Sequence, residues 1–241
     1  MRASSSSLVP VPSAGPCVVL ATRNAGKVHE LQPLLAAVGV RLLTLDALGL
    51  PESAEEDALE AFDSFEENAL AKARYFARRT GAIVLADDSG LAVDALDGHP
   101  GVHSKRWSGR ADLQGAALDA ENNRYLQHAL AQAEVAASAH GTGLSRRARY
   151  VCAAACAWRE GGIWRDAVVR GETTGELLAE PRGSEGFGYD PYFLSHDLGV
   201  TFAEVDRSAK ARVSHRGRAF LALLQVESVR ACMVPVSPSE P

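Results

Sequence analysis

The sequence predicts an α/β protein, one domain with two lobes, and three observations carry that prediction. Apolar runs of strand length alternate with longer amphipathic runs of helical length, the pattern of helices laid on a sheet. The patterned part opens strand, loop, helix, strand, as wound sheets do. The 241 residues suffice to bury a sizeable core, fit one large domain or two small ones, and show no internal repeat.

Met1 to Pro16 are rich in Ser, Pro and small residues, which predicts a disordered N-terminal tail over 1–16. The apolar run Cys17–Ala21 reads as a strand, followed by a loop through Lys27, a helix over Val28–Val38 and a strand near Arg41–Leu45. An acidic loop, Pro51 to Asp63, leads to Ser64-Phe65-Glu66-Glu67, whose Ser-x-x-Glu spacing opens a helix that reaches Thr80 and stops at Gly81. Ala82–Ala86 reads as a buried strand that ends on Asp87-Asp88-Ser89-Gly90, with a short strand after it at Leu91–Ala95. A Gly- and Pro-bearing loop, Gly98–Gly109, precedes an Ala-rich helix over Asp112–Ala136 and a loop at His140–Ser145. Arg149–Trp158 and Ile163–Gly171 are strand-like runs joined by a hairpin signal at Arg159-Glu160-Gly161-Gly162, and Leu177–Pro181 extends that sheet. The stretch from Gly183 to Pro191 is too glycine-rich for an element and too aromatic for a linker, so it reads as a functional loop. A helix over Ser214–Val226 closes the domain, 17–230, and the proline-bearing stretch 231–241 reads as a second disordered tail.

A net charge of -5, with Lys and Arg spread along the chain, argues against a nucleic-acid binder that works by neutralising phosphates. No apolar run approaches the ~20 residues needed to span a bilayer, and the opening residues lack the apolar core of a secretory signal, so a cytoplasmic location and no membrane partner are expected. Cys17, Cys152, Cys156 and Cys232 show no Cys-x-x-Cys spacing and read as buried thiols, not as a zinc site.

Six segments carry chemistry. Asp87-Asp88 offers adjacent carboxylates at a strand end, suited to Mg²⁺ or Mn²⁺; the competing reading is an Asp-rich turn in which Gly90 supplies a positive φ. Thr22-Arg23-Asn24-Ala25-Gly26-Lys27 joins a strand to a helix, where backbone N–H groups, the helix dipole and Lys27 make a phosphate cradle, or else an ordinary connection hinged at Gly26. It is not a Walker A loop, since Ala21 and Val28 replace the glycine and hydroxyl residue that motif needs. Phe65, Asn68 and Lys72 share a helix face with Ala69 and Phe76, so Lys72 either snorkels to water or meets a phosphate. Glu52, Glu55, Glu56, Asp57 and Glu60 are mostly solvated surface, though one of them fits beside Asp88 on a metal. Phe187-Gly188-Tyr189-Asp190-Pro191 offers close backbone approach and an aromatic face for a base, or a structural loop around a buried Phe. Lys210, Ser214, His215 and Arg216 gather donors for oxygen acceptors near a helix start.

In this order the segments resemble the inosine triphosphate pyrophosphatase family, also called Ham1-like. The residues that carry the resemblance are Ala21–Lys27, Phe65–Ala73, Ala86–Leu91, Pro100-Gly101-Val102-His103-Ser104, Gly186–Pro191 and Ser214-His215-Arg216-Gly217, nearly the whole patterned chain. The resemblance implies an elongated mixed β-sheet flanked by helices, two lobes with a central cleft, and a homodimer. It also implies a Mg²⁺-dependent hydrolase, with Mn²⁺ as a second option, that converts non-standard purine nucleoside triphosphates (dITP, ITP, XTP, dXTP) to the monophosphate and pyrophosphate. Carried onto this sequence, Thr22, Arg23, Asn24, Ala25, Gly26, Lys27 and Lys72 would hold phosphates, and Asp88 would be general base and metal ligand. Ser89 would touch substrate, Phe187, Gly188, Tyr189 and Asp190 would bracket the base, and Lys210, His215 and Arg216 would read its oxygens. Glu56 is the expected second metal ligand, because Ser53-Ala54-Glu55-Glu56 matches the family's local pattern if Asp57–Glu60 is an insertion; Glu60, at the ungapped spacing before Phe65, and Glu55 are the alternatives. A pyrophosphatase for modified pyrimidine or methylated nucleotides, and a nucleotide sensor that does not hydrolyse, are the competing functions.

Overall fold

The structure, a computed structural model, describes residues 17–233; the tail predicted over 1–16 and residues 234–241 of the second lie outside them. β1 (Cys17–Leu20) leads through α1 (Ala25–Ala37) to β2 (Arg41–Thr44), which pairs parallel with β1, Cys17 opposite Arg41 and Leu20 opposite Thr44. α2 (Phe65–Thr80) then leads to β3 (Val84–Val93), parallel to β1 on its other side, with Val19 opposite Val84. The winding therefore reverses direction after β2. In open α/β sheets ligands bind beyond the carboxyl ends of the strands at such a reversal, here the ends of β1 and its neighbour β3. Right-handed crossovers also place α1 and α2 on opposite faces.

The remaining elements are α3 (Gly115–Ala139), β4 (Arg147–Glu160), β5 (Ile163–Leu177), β6 (Phe193–Ser195), α4 (Arg207–Val213), α5 (His215–Leu223) and α6 (Glu227–Met233). The sheet order is β2-β1-β3-β4-β5-β6, and β6 runs antiparallel to β5, so the α/β fold has a mixed six-stranded sheet. The chain divides into two compact units, 17–88 with 153–170 and 219–233, and 89–152 with 171–218. In the first, Val18, Val19, Leu20, Val84, Leu85 and Ala86 are all buried, as strands covered on both faces must be. In the second, Leu91, Val93, Leu126, Leu130, Leu177, Phe193 and Phe202 form one core cluster around Tyr150. Among the described residues no helix is long and apolar enough to cross a membrane.

Several boundaries differ from the sequence reading, each for a local reason. α1 begins three residues before Val28, because the Asn24 side chain caps it, its Oδ1 accepting from Gly26 N at 2.8 Å and Lys27 N at 3.3 Å. Asp87 to Gly90 do not end a strand: β3 runs straight through them into Leu91–Val93, and Gly90 has no positive φ, which removes the turn reading. The acidic loop contains a 3-10 turn, Ala54–Glu60, closed by a capping box between Ser53 and Glu56. β5 ends at Leu177, so residues 178–181 do not extend the sheet. β6, with three residues, and α4, capped by Asp206 accepting from Ala209 N, were too short to stand out in the sequence. Ala231, Cys232 and Met233, read as the start of the tail, finish α6, with Met233 buried. Cys152 and Cys156 are buried, whereas Cys17 and Cys232 are partly exposed, and none of the four is in a disulfide.

Candidate active site

In the first unit the charged groups meet just past the carboxyl end of β1, beside the middle of β3, where Leu20 pairs with Leu85 and Asp87 and Asp88 follow. Neighbouring residues of a strand face opposite ways, and the two aspartates of β3 accordingly meet different helices. Asp87, 1 % exposed, takes Lys27 of the first turn of α1, with Nζ 2.9 Å from Oδ2. Asp88 takes α2: Asn68 Nδ2 donates to its Oδ2 at 2.9 Å and Lys72 Nζ lies 3.7 Å from its Oδ1.

α2 brings those partners because of its spacing. Its buried residues, Phe65, Asn68, Ala69, Lys72, Ala73, Phe76, Ala77 and Thr80, recur at three and four along one face. Ser64 caps its start, accepting from Glu67 N at 3.2 Å, and Gly81, with φ of 70°, closes its end. Lys72 does not snorkel: it is 8 % exposed and its Nζ donates to Glu60 Oε1 at 2.7 Å. Burial is the largest influence on that ammonium and lowers its pKa, but Asp88, Glu60 and Asp87 together outweigh it, and the pKa is raised. Asp88 is pushed above the ordinary carboxylate value by burial first, helped by Glu60, and Lys72, Lys27 and the Asn68 bond only partly offset this. A carboxylate held this way is a stronger base than a solvated one.

The rest of the predicted phosphate loop is arranged differently from expectation. Asn24 faces its own helix as the cap, and the Thr22 hydroxyl accepts from Asn24 N at 3.2 Å. Arg23 turns to the acidic segment, its Nε and Nη2 on Glu56 Oε2 and Oε1 at 3.2 and 2.8 Å, and its Nη1 on Leu50 O at 2.8 Å and Asp46 Oδ1 at 3.1 Å. Glu56 and Glu60, two of the glutamates the sequence offered, therefore stand in different settings. Both oxygens of Glu56 are engaged by Arg23 and one also accepts from Ser53 N at 3.3 Å, while Glu60 is the carboxylate that reaches Lys72 beside Asp88. Ala25 and Gly26 lie in the first turn of α1, so Gly26 is helical and not a hinge.

Among the described residues no group of three or more His, Cys, Asp or Glu is placed to enclose a metal. Glu60 and Asp88 nevertheless converge on one cation, the Lys72 ammonium, and are hard oxygen donors. Mg²⁺ typically takes one or two protein carboxylates and completes its shell with water and substrate phosphates, so this pair fits it.

In the second unit the loop 183–191 closes on Asp190, 2 % exposed. Asp190 Oδ2 accepts from Phe187 N at 2.9 Å and from Lys210 Nζ at 2.7 Å, and its Oδ1 from the Tyr150 hydroxyl at 3.3 Å. Gly186, with φ of 78°, lies so close to the Asp190 carboxylate that a Cβ would enter it. Lys210 Nζ stands 4.9 Å from the centre of the Phe187 ring, and the Arg216 guanidinium 5.9 Å, close enough for cation–π attraction. Arg216 Nη2 also donates to Ser89 Oγ at 2.9 Å, and His215 stacks on Tyr150 at 4.7 Å with 9° between planes. Lys210, Phe187, Asp190, Arg216 and Ser89 are thus brought together, while Tyr189 turns inward, its hydroxyl donating to Ser104 O at 2.8 Å. Sequence reasoning missed Tyr150, which stacks in this group, and Asp119 and Asn123 of α3, which bond Gly188. Asp119 and Asn123 share a helical face with the buried Leu126 and Leu130, a signal an Ala-rich helix hides.

The chain is 45% identical over 208 residues to a dITP/XTP pyrophosphatase of Thermus thermophilus, covering 86% of this chain and 90% of that one. It is 46% identical over 203 residues to one of Frankia alni, covering 84% and 93%. Among solved structures, a HAM1 protein from Coxiella burnetii aligns with a TM-score of 0.71 at 34% identity, covering 88% of this chain and 98% of that one. A nucleoside-triphosphatase / dITP/XTP pyrophosphatase from Mycobacterium abscessus aligns with a TM-score of 0.62 at 40% identity, covering 87% and 100%. The profile of the Ham1 family matches residues 18–226, and the chain belongs to that family.

Proposed function

We propose that the protein hydrolyses non-standard purine nucleoside triphosphates, dITP, ITP, XTP and dXTP, to the nucleoside monophosphate and pyrophosphate. The observation that carries this is the interleaving of two lysines with three carboxylates at the reversal of the sheet: Lys27 on Asp87, and Lys72 on Glu60 and Asp88. Such a cluster holds its cations in place before an anion arrives, and a triphosphate exchanges those carboxylate partners for its own oxygens. The curated relatives named dITP/XTP pyrophosphatases support the substrate class.

In this reading Lys27 and Lys72 neutralise the phosphate chain, and the first turn of α1, with Thr22 and Asn24 ahead of it, faces phosphate oxygens. Arg23 braces that loop through Glu56. Asp88 takes the proton of the water that attacks the α-phosphorus; the P–O bond to the β-phosphate breaks and pyrophosphate leaves with the bridging oxygen. Asp88 and Glu60 would hold Mg²⁺, or Mn²⁺, whose chemistry is to neutralise charge on the phosphates. Phe187 offers the base its ring, and Lys210, His215 and Arg216 donate to oxygens of hypoxanthine or xanthine. An adenine amino group would leave such buried donors without acceptors, a mismatch worth about 10⁴ or more in selectivity. A homodimer and a cytoplasmic location complete the proposal on the family resemblance.

The test is pyrophosphate release from ITP, XTP and dITP against GTP and ATP, with Mg²⁺ and with EDTA. The expected result is Mg²⁺-dependent release that favours the first three. Equal turnover of ATP, or phosphate in place of pyrophosphate as product, would refute the proposal.

A further inference from the structure

We propose that Asp119 and Asn123 of α3 are positioning residues that hold the base-reading loop from behind and thereby set which bases it accepts. The inference rests on the reading of that loop given above. Asp119 Oδ2 accepts the Gly188 N–H at 2.9 Å, and Asn123 Nδ2 donates to the Gly188 carbonyl at 2.8 Å and to the Asp119 carbonyl at 2.9 Å. Both polar groups of one loop residue are thus gripped by side chains one turn apart on a single helix. Gly188 has φ of 64° with nothing near its missing Cβ, so its glycine serves conformation and not space. The residue before it, Phe187, is held by Asp190 through its own N–H at 2.9 Å. Asp190 alone fixes one side of the turn; α3 fixes the other, and the direction of the Phe187 ring depends on both.

The adjacent residue shows that this is not routine helix packing. Asn122 uses both ends of its amide to staple a neighbouring segment, accepting from Ser108 N at 2.9 Å and donating to Lys105 O at 3.0 Å. Asn123 is also buried, yet its Oδ1 has no hydrogen-bond partner among the described residues. An idle buried acceptor costs stability that an apolar residue would avoid, so its presence is explained by the one long-range bond it makes, to Gly188. Asp119 is likewise half-buried and close to Asp190, where burial first and then that like charge raise its pKa. Two side chains held at a cost to stability converge on one peptide segment of the loop.

The experiment compares kcat and KM for ITP and GTP in the full chain and in Asp119→Ala, Asn123→Ala and Asp119→Asn, with amide hydrogen exchange of residues 186–190 in each. Loss of one hydrogen bond should raise KM for ITP about tenfold and cut the ITP:GTP ratio of kcat/KM by about tenfold in each alanine variant, with kcat little changed. Asp119→Asn keeps an acceptor oxygen and should restore both. Exchange at Gly188 should speed up in the alanine variants whatever the substrate preference, which separates the clamp from the functional reading. If the full chain does not prefer ITP, the functional reading fails; the clamp fails if exchange is unchanged. Faster exchange with unaltered selectivity, or a fall in kcat at constant KM, also overturns the proposal. Asp119→Glu, which shifts the acceptor without emptying the site, replaces any alanine variant that does not fold.

Discussion

Replacing Glu60 and Glu56 by glutamine, one at a time, separates a carboxylate that serves chemistry from one that serves structure. Glu56 meets Arg23 through two bonds of 2.8 and 3.2 Å, and the two side chains are only 14% and 22% exposed. Hydrogen bonds to charged groups in such settings are worth about 1.5–3 kcal/mol, and glutamine keeps the shape and one acceptor, so a loss of about 1–2 kcal/mol is expected. For a chain of this size that lowers the melting temperature by about 2–8 °C. Glu60 is 38% exposed at its side chain, and solvent screening limits its stability contribution with Lys72 to about 1 kcal/mol or less. Its removal takes away the carboxylate that meets Lys72 beside Asp88 and should weaken the Mg²⁺ response or turnover by at least about 10–100-fold. The assay is pyrophosphate release from ITP across a Mg²⁺ titration, run beside thermal melts. If Glu56→Gln shifts the Mg²⁺ response while Glu60→Gln only lowers the melting temperature, the assignment drawn from Arg23 and Lys72 is refuted.

Asp88→Asn should keep the fold by circular dichroism and lower turnover by about 10²–10⁴, and full turnover would exclude Asp88 as the base. Because burial raises the Asp88 pKa above 3.8, activity should fall with decreasing pH through a midpoint above that value; a limb at or below 3.8 contradicts the geometry. Lys72 lowers that pKa, so Lys72→Met should move the acid limb of kcat/KM to higher pH as well as reduce turnover. The same shift sets the sign for metal-free stability: the Asp88 contribution is complete below 3.8 and is lost as pH rises through the raised value, which melts across that window check. Gly217→Ala would drive a Cβ into the Ala211 carbonyl where α5 packs on α4, and should cost about 1–3 kcal/mol in chemical denaturation.

Much of the site was legible because its residues break local rules. A lysine and an asparagine at buried spacing on α2 announce a polar function on an apolar face. An apolar run broken by Asp87-Asp88, and Gly residues around Phe187, do the same. What misled was local chemistry with two outcomes. Asp-Asp-Ser-Gly favours a turn in isolation, but partners on both helices and the buried run Leu91–Val93 keep β3 extended. Asn24 could have faced a ligand, and it caps α1 because the helix N–H groups lie closer in sequence. Which glutamate stands beside Asp88 was not legible, because likeness of neighbouring residues says nothing about which carboxylate Arg23 will claim.

The sequence by itself determined the α/β class, most of the strands and helices that bear the motifs, though not α4 with Lys210, and the residue types at each motif, because periodicity, caps and turn chemistry act over a few neighbours. Pairing across long separations was decided only in three dimensions. Lys27 finds Asp87, Glu60 finds Lys72, and α3 finds Gly188 across 65 residues. Those meetings depend on the order of strands in the sheet and on which face each helix turns to it, quantities that no local window of sequence contains.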